Sequence, residues 1–220
     1  MLTAERFLLL CLDPESGRRV AGRSHLEPAL HGAVAAELVL CGRIAITPDS
    51  DGLMRRRRLA VLDPTPTGDA VLDAMLAGLV AKPDQKLSEA INAFRFRPLI
   101  KDVSGLLSGR LVAAGILGQR ADRVLGVFPT TAWPIRDPRP DRVTRERLHY
   151  ALIADGQPDP ETSVLVALVL AAGLLIKLVP TEDRARLRRR AKDLVGADPL
   201  ANQLKLAVAQ VYANQASASG

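Results

Sequence analysis

Glu37-Leu38-Val39-Leu40-Cys41-Gly42-Arg43-Ile44, answered further along by Pro66-Thr67-Gly68-Asp69, is the stretch that decides the fold of this chain. The first run closes an apolar-faced helix on a glycine and passes straight into a strand. Between the two lie a turn, Pro48-Asp49-Ser50-Asp51-Gly52, and a basic run, Arg55-Arg56-Arg57-Arg58, that leads into Leu59-Ala60-Val61. The order is therefore helix, glycine turn, strand, arginine-bearing return strand and a second capped helix. Leu26, Leu30, Val34, Leu38 and Cys41 recur at helical spacing, which predicts a helix from about Leu26 to Cys41 with one core face. Gly42 takes its C-terminal position. Ile44 and Ile46 alternate as strand residues do. Thr67 is expected to cap a helix over Ala70 to Ala81, with Asp69 favourably placed at its positive end.

Upstream, Thr3 is read as the cap of a short helix carrying Phe7 to Leu12. Downstream the plan partly recurs. Val103 to Ala114 reads as an amphipathic helix ended by Gly115, then Ile116-Leu117 and a hairpin from Arg123 to Ile135. Asp141 to Ala154 is a further helix, closed by Gly156. Pro160 opens an apolar helix, and the uninterrupted apolar run Val164 to Val179, broken only by Lys177, is about sixteen residues long. A membrane span needs roughly 20, so this run is read as a buried core helix. Thr181 is expected to cap a basic helix containing Arg184, Arg186, Arg188, Arg189, Arg190 and Lys192. Asp198-Pro199 begins the last helix, with proline at its first position. The expected architecture is mainly α: one globular helical domain over residues 1–215, with an apolar central helix, amphipathic helices around it and two or three surface β-hairpins. Residues 216–220 are expected to be a disordered tail.

Composition narrows the function classes. Hydrophobic residues make up 48% of the chain, which excludes a disordered protein. The formal net charge is +6, favouring anionic partners such as a phospholipid surface or nucleic acid. Only six of the thirty basic residues are lysine, a bias typical of a GC-rich bacterial gene. The two cysteines, Cys11 and Cys41, lack C-x-x-C spacing and read as small buried hydrophobes in a reducing compartment. The first residues, Met1-Leu2-Thr3-Ala4-Glu5-Arg6, do not have the form of a secretory signal.

No catalytic constellation stands out. His25, His31 and His149 lack metal-ligand spacing, and no phosphate loop, nucleophile elbow or H-E-x-x-H is present. Glu37 is the one carboxylate on a predicted apolar face, and a structural pair with an arginine such as Arg43 is its expected role. The chain is accordingly read as a non-enzyme without cofactor or metal. Basic clusters remain. Arg18, Arg19 and Arg23 precede the second helix, whose amino terminus is a natural place for phosphate. Arg55 to Arg58 form either a phosphate-facing stripe or a charge-protected edge strand. In the second hairpin, Phe128 and Trp133, the only tryptophan, either dip into a lipid head-group layer or pack on the protein body. The helix from Arg184 to Lys192 reads as a solvated face paired with Glu182, Asp183 and Asp193.

With Glu37 to Ile44, Pro66-Thr67-Gly68-Asp69, and Val103 to Leu117 with the hairpin after it, the chain resembles the Golgi phosphoprotein 3 family from about Leu2 to Val211. The resemblance implies a mostly α-helical fold with an apolar central helix and a flat basic face that docks on phosphatidylinositol 4-phosphate. Eukaryotic members of the family help retain glycosyltransferases by binding their cytosolic tails. The head-group pocket of the family uses a tryptophan and an arginine around the second helix and two arginines opening a later one. Aligned by motif, these fall on Gly22, His31, Lys101 and Ser104. Joined to the basic cluster before the second helix and the aromatic hairpin, this gives Arg18, Arg19, Arg23, His31 and Lys101 as the expected lipid-binding residues, with Phe128 and Trp133 as a membrane-contacting hairpin. Of the pocket positions only Lys101 carries a permanent positive charge, since histidine is largely neutral at pH 7.

The leading expectation is a cytoplasmic, peripheral adaptor on the inner face of a membrane. It would bind anionic phospholipid, by resemblance a phosphoinositide, with a protein cargo tail as a further partner. The alternative is a winged-helix-like nucleic-acid binder, since a helix followed by a basic hairpin occurs twice. Against it, Leu26 to Cys41 and Val103 to Ala114 are poor in side chains that read base edges. A homo-oligomer exchanging the second hairpin is a third expectation.

Overall fold

Residues Thr162 to Val169 are buried without interruption, so the helix that carries them has no polar side to show water. Such a helix needs partners all round. The computed structural model describes residues 1–47, 58–97, 100–124 and 128–218. Among them are helices α1 (Thr3–Leu10), α2 (Arg23–Leu40), α3 (Ala70–Ala81), α4 (Leu87–Phe94) and α5 (Val103–Ala113). After these come α6 (Arg139–Leu152), α7 (Pro160–Ala171), α8 (Leu175–Leu178), α9 (Arg184–Ala197) and α10 (Pro199–Ala218). Strands β1 (Ile44–Ile46) and β2 (Leu59–Val61) pair antiparallel with Ala45 opposite Ala60, and β3 (Arg120–Val124) pairs with β4 (Phe128–Ala132) with Asp122 opposite Thr130.

The apolar α7 is the hub. Helices α1, α2, α6, α9 and α10 pack around it, and α2 in turn supports α3, α4 and α5 on its other side. Gly32 lets these helices close up. A Cβ there would lie 2.8 Å from Val208 of α10 and 3.0 Å from Leu204, with Leu168 of α7 at 3.4 Å. Helix α2 is buried on nearly every side from Leu26 to Leu38, so it offers no face to a nucleic-acid groove.

Polar side chains fasten the helices to one another. Glu5 accepts the Leu2 amide at 2.8 Å and faces Arg110 of α5 at 3.2 Å; Arg110 also reaches Asp69 at 2.7 Å. Arg145 of α6 pairs with Asp141 and donates to the carbonyls of Leu10 and Leu12, both at 3.2 Å. Gly17, at φ 68°, seats the loop before α2 on the base of the second hairpin. Its carbonyl accepts the Trp133 amide at 2.7 Å, and a Cβ would meet the backbone of Trp133 and Pro134 at 2.5 Å.

Several expectations change. The apolar run Val164 to Val179 is two helices rather than one, because Gly173 turns the chain at φ 67° between α7 and α8. Asp69, not Thr67, caps α3, accepting the amides of Val71 and Leu72; Thr67 instead donates to Asp73. Asp183, not Thr181, caps α9. Glu37 does not pair with Arg43: it accepts the Thr3 amide at 2.8 Å and the Thr3 hydroxyl at 2.5 Å, while Arg43 pairs with Asp63. Cys41 is exposed at the end of α2 instead of buried. Helix α4 escaped the periodicity reading because it is only eight residues long. Helix α10 continues to Ala218, beyond the expected start of the tail. Among the described residues no helix is long and apolar enough to cross a membrane.

Two substitutions test this packing. Val166→Asp places a charge at a fully buried α7 position and should abolish cooperative unfolding, since an unpaired buried charge costs several kcal/mol against a stability of about 5–15. Gly32→Val should lower the urea midpoint by an amount equivalent to about 1–3 kcal/mol, the cost of overpacking. A Gly32→Val protein as stable as the parent would mean that α2, α7 and α10 are not in close contact.

Candidate functional site

The amino-terminal turn of α2 and the turn that leads into α5 meet at one place on the surface. Glu27, one turn into α2 and only 7% exposed, directs its carboxylate across to α5, accepting the amides of Val103 at 3.2 Å and Ser104 at 3.1 Å. Asp102 caps the same helix through the Gly105 amide at 2.9 Å. A helix amino terminus attracts anions because its first amides are unpaired and its dipole is positive. Here two of the chain's own carboxylates fill that role.

Beside this junction opens a cavity of about 360 Å³, lined by Ser24, Glu27, Arg95, Phe96, Lys101 and Asp102. Its wall carries two cations and two carboxylates. Phe96 is 75% exposed, with the Arg95 guanidinium 5.8 Å from its ring centre. A second cavity, of about 590 Å³, shares Ser24, Arg95 and Phe96 with the first and adds His25, Asn92, Asn214 and Gln215. The two form one trough with a charged lobe and an amide-rich lobe. Pro28 has no N–H to give the Ser24 carbonyl, so the usual helical bond to that acceptor is missing at the trough.

The expected site residues separate. Lys101 lines the charged lobe. His31 does not face the lobe: it is fully buried. Its Nε2 lies 2.8 Å from the Ile100 carbonyl and must carry the proton, because a carbonyl only accepts. Burial holds its pKa below the ordinary histidine value, and the charge of Arg95 adds to that depression. The ring therefore fixes the residue before Lys101 and is not itself a contact for a head group. Ser104, aligned with the second arginine of the family pair, is also fully buried.

Arg18 makes a two-pronged pair with Asp122 of β3, at 2.6 and 3.0 Å. Arg19 reaches the Ser108 hydroxyl at 3.4 Å and lies over the Trp133 ring at 5.8 Å. Neither lines the charged lobe, so the expected cluster of Arg18 and Arg19 with Lys101 does not form. Trp133 is 9% exposed and packs on the body, which overturns its expected role as a membrane contact. The side chains of Arg23 and Phe128, and residues Arg55 to Arg57, lie outside the described residues. Arg58 is tied to the Asp84 carbonyl. In α9, Arg186 pairs with Asp155 at 2.5 Å and Arg190 donates to the carbonyls of Ala151 and Gly156 at 3.0 and 2.7 Å, so these two arginines dock the helix onto the end of α6.

Arg95, Phe96, Ser24 and Glu27 were missed from sequence. The signal for the first two was Phe94-Arg95-Phe96-Arg97-Pro98, where aromatic and guanidinium side chains alternate just before a helix-stopping proline. Glu27 gave none, because its partners are backbone amides 76 and 77 residues away.

Residues 3–211 match a family model described as Golgi phosphoprotein 3 (GPP34). The match spans the charged lobe, the buried histidine and both hairpins, and ends before Asn214 and Gln215 of the second lobe.

The buried imidazole makes stability depend on pH in a defined direction. In the unfolded chain it titrates near about 6.5, and in the fold lower, so below that value the unfolded state binds the extra proton. Its contribution is complete above about pH 6.5 and falls away as pH drops toward the lowered folded value, with a limiting slope of about 1.4 kcal/mol per pH unit. Urea denaturation of parent and His31→Gln proteins between pH 7.5 and 5.5 should show a smaller loss in the variant. Parallel losses would place the acid sensitivity elsewhere.

Proposed function

The chain belongs to the Golgi phosphoprotein 3 family, and from that premise we propose that it is a peripheral membrane adaptor that holds anionic phospholipid at the charged lobe of the trough. The observation that carries this reading is Phe96, an exposed ring beside Arg95 in the lobe that Lys101 also lines. A protein keeps so large a ring in water at a cost. Set at a bilayer surface, the ring enters the head-group layer while the neighbouring cations meet phosphate. Lys101 and Arg95 act as electrostatic contacts, and His31 and Glu27 position the turns that carry them. On this reading the protein docks on the anionic inner leaflet and leaves its remaining surface to a protein partner such as a cytosolic tail.

The internal carboxylates also shape the specificity. With Glu27 and Asp102 at the amino terminus of α5, an additional phosphomonoester meets negative charge where a free helix end would have welcomed it. Binding is therefore governed by the anionic charge of the surface more than by the number of phosphates on one head group.

Vesicle co-sedimentation tests this directly. Binding to phosphatidylglycerol-containing vesicles should weaken steeply between about 0.1 and 1 M salt, where the Debye length falls from roughly 10 to 3 Å. Replacing Arg95 and Lys101 together by glutamine should cost about 1 kcal/mol per charge. The same change at Arg188 and Arg189, exposed on α9, should cost less. Phe96→Ala should weaken binding even at low salt. Equal losses from the two charge pairs would reduce the binding to diffuse attraction, and no binding to anionic vesicles at low salt would end the membrane reading.

A further inference from the structure

A groove opens at the other end of the helices that frame the trough. Val39, near the end of α2, lies about 22 Å along that helix from Ser24 at 1.5 Å per residue. There the end of α2, strand β1 and the start of α10 border a hollow of about 680 Å³, walled by Val39, Ile44, Ile46, Leu62, Pro199 and Leu200. Across Pro199 and Leu200 it adjoins a second hollow, of about 520 Å³, that Leu40 and Leu194 also line. Among the described residues no charged side chain lines the first. The acid on the second, Asp198, is turned to the Ala201 amide at 2.9 Å. Leu62 is 61% and Leu40 39% exposed on these walls, and contiguous apolar surface of this kind marks a place for a partner.

The groove also offers hydrogen bonds to a chain laid in it. The Leu59 amide of β2 turns away from β1 to the Gln85 carbonyl at 2.9 Å, which closes that side of the ladder. Ile46, opposite Leu59, directs its own N–H and carbonyl away from β2, and β1 pairs with no other strand among the described residues. The side-chain amides of Asn202 and Gln203 stand on the facing wall.

Gly196 carries the groove onto α9, where Arg184, Arg188, Arg189 and Lys192 share the exposed side of the helix with it. None of these four cations has a hydrogen-bonded or ionic partner among the described residues. By contrast Arg6, Arg18, Arg43, Arg110 and Arg145 are each held by an aspartate or glutamate. Asp193 is the one acid on α9. Arg184, Arg188 and Lys192 recur at four-residue spacing, which sets like charges side by side and works against the helix. An anionic chain along this face removes that repulsion.

We propose that the groove and the basic face of α9 together dock one extended segment of a partner protein, apolar where it crosses β1 and acidic where it follows α9. From Gly196 back to Arg184 is about 18 Å, which an extended chain covers in about five or six residues. The groove holds the apolar part and selects against a charge there, and the unpaired cations select acids in the part that follows. A bilayer takes apolar groups that project from a protein, as Phe96 does, whereas this apolar surface is recessed. A nucleic acid would meet the charge, but the groove has no aromatic ring among the described residues on which a base could stack. The inference does not depend on the lipid reading and is compatible with it, because a protein docked through Phe96 keeps the far ends of α2 and α10 open.

Fluorescence anisotropy on the full chain tests this with three labelled peptides: alternating valine and threonine followed by a run of glutamates, the same apolar half followed by lysines, and the glutamate run alone. The first should bind about tenfold tighter than either of the others and weaken as salt rises. Gly196 has room for a side chain, since a Cβ there meets no atom within 4 Å. Gly196→Phe should therefore obstruct the groove and weaken binding about tenfold with the thermal midpoint retained, while Gly196→Ala leaves binding intact. Arg188→Glu combined with Lys192→Glu should turn the preference toward the lysine peptide, which loss of folding would not do. The inference is overturned if the first peptide does not bind, if the glutamate run alone binds as tightly, or if glutamates and lysines are equivalent. It is also overturned if Gly196→Phe weakens binding to phosphatidylglycerol vesicles, which would make this face a membrane contact. Binding of single-stranded RNA that is lost on charge reversal and kept in Gly196→Phe would make it a nucleic-acid surface and overturn the inference as well.

Discussion

An α-helix that is apolar on every side can exist in water only if other elements cover it completely, and α7 imposes that condition on the rest of this protein. Apart from the short α8 that follows it directly, the helices that meet it are scattered in the chain: α1 and α2 from the beginning, α6 from the middle, α9 and α10 from the end. Because α2 must lie against α7 on one side, its other side is left to carry α3, α4 and α5. The trough opens where the amino-terminal turn of α2 faces the turns that follow α4 and precede α5, with α10 along its second lobe. Gly32 sets how closely α2 can approach α7 and α10.

Charge within the protein is arranged to join helices more than to decorate them. Arg110 bridges α1 to the cap of α3, Arg145 joins α6 to the last carbonyls of α1, and Arg190 docks α9 on the end of α6. Glu27 does the same at the trough with the opposite sign. Arginines spent in this way are not available to a membrane, so the chain's net positive charge overstates its basic surface. The arginines before α2 show this well, since Arg18 is held by Asp122 and Arg19 is laid over Trp133.

Much of the fold was legible because it rests on local rules. The glycines at 42 and 115, both at positive φ, end α2 and α5 where helix-stop chemistry puts them, and Pro199 opens α10. The interval Ala70 to Ala81 follows from Pro66-Thr67-Gly68-Asp69 and the apolar run after it, although Thr67 and Asp69, two residues apart, can both cap, and only the backbone geometry chose Asp69. The break at Gly173 was hidden inside an apolar run, because composition reports burial and not direction.

What the sequence determined by itself was the class of structure: a helical domain with an apolar central helix and hairpins, its helix ends set by glycine, proline and capping side chains. Those are properties of neighbouring residues. The site was decided elsewhere. His31 looked like a ligand because the pocket arginine of the family aligns with it, and became a buried prop because α2 turns that position toward Ile100. Arg95 and Phe96 became a lining because α4 stops beside the first turn of α2. Glu27 found the amides of Val103 and Ser104 only once α2 and α5 were packed. Burial and long-range hydrogen bonds depend on which helix faces become neighbours, and that is settled by the packing of the whole chain around α7.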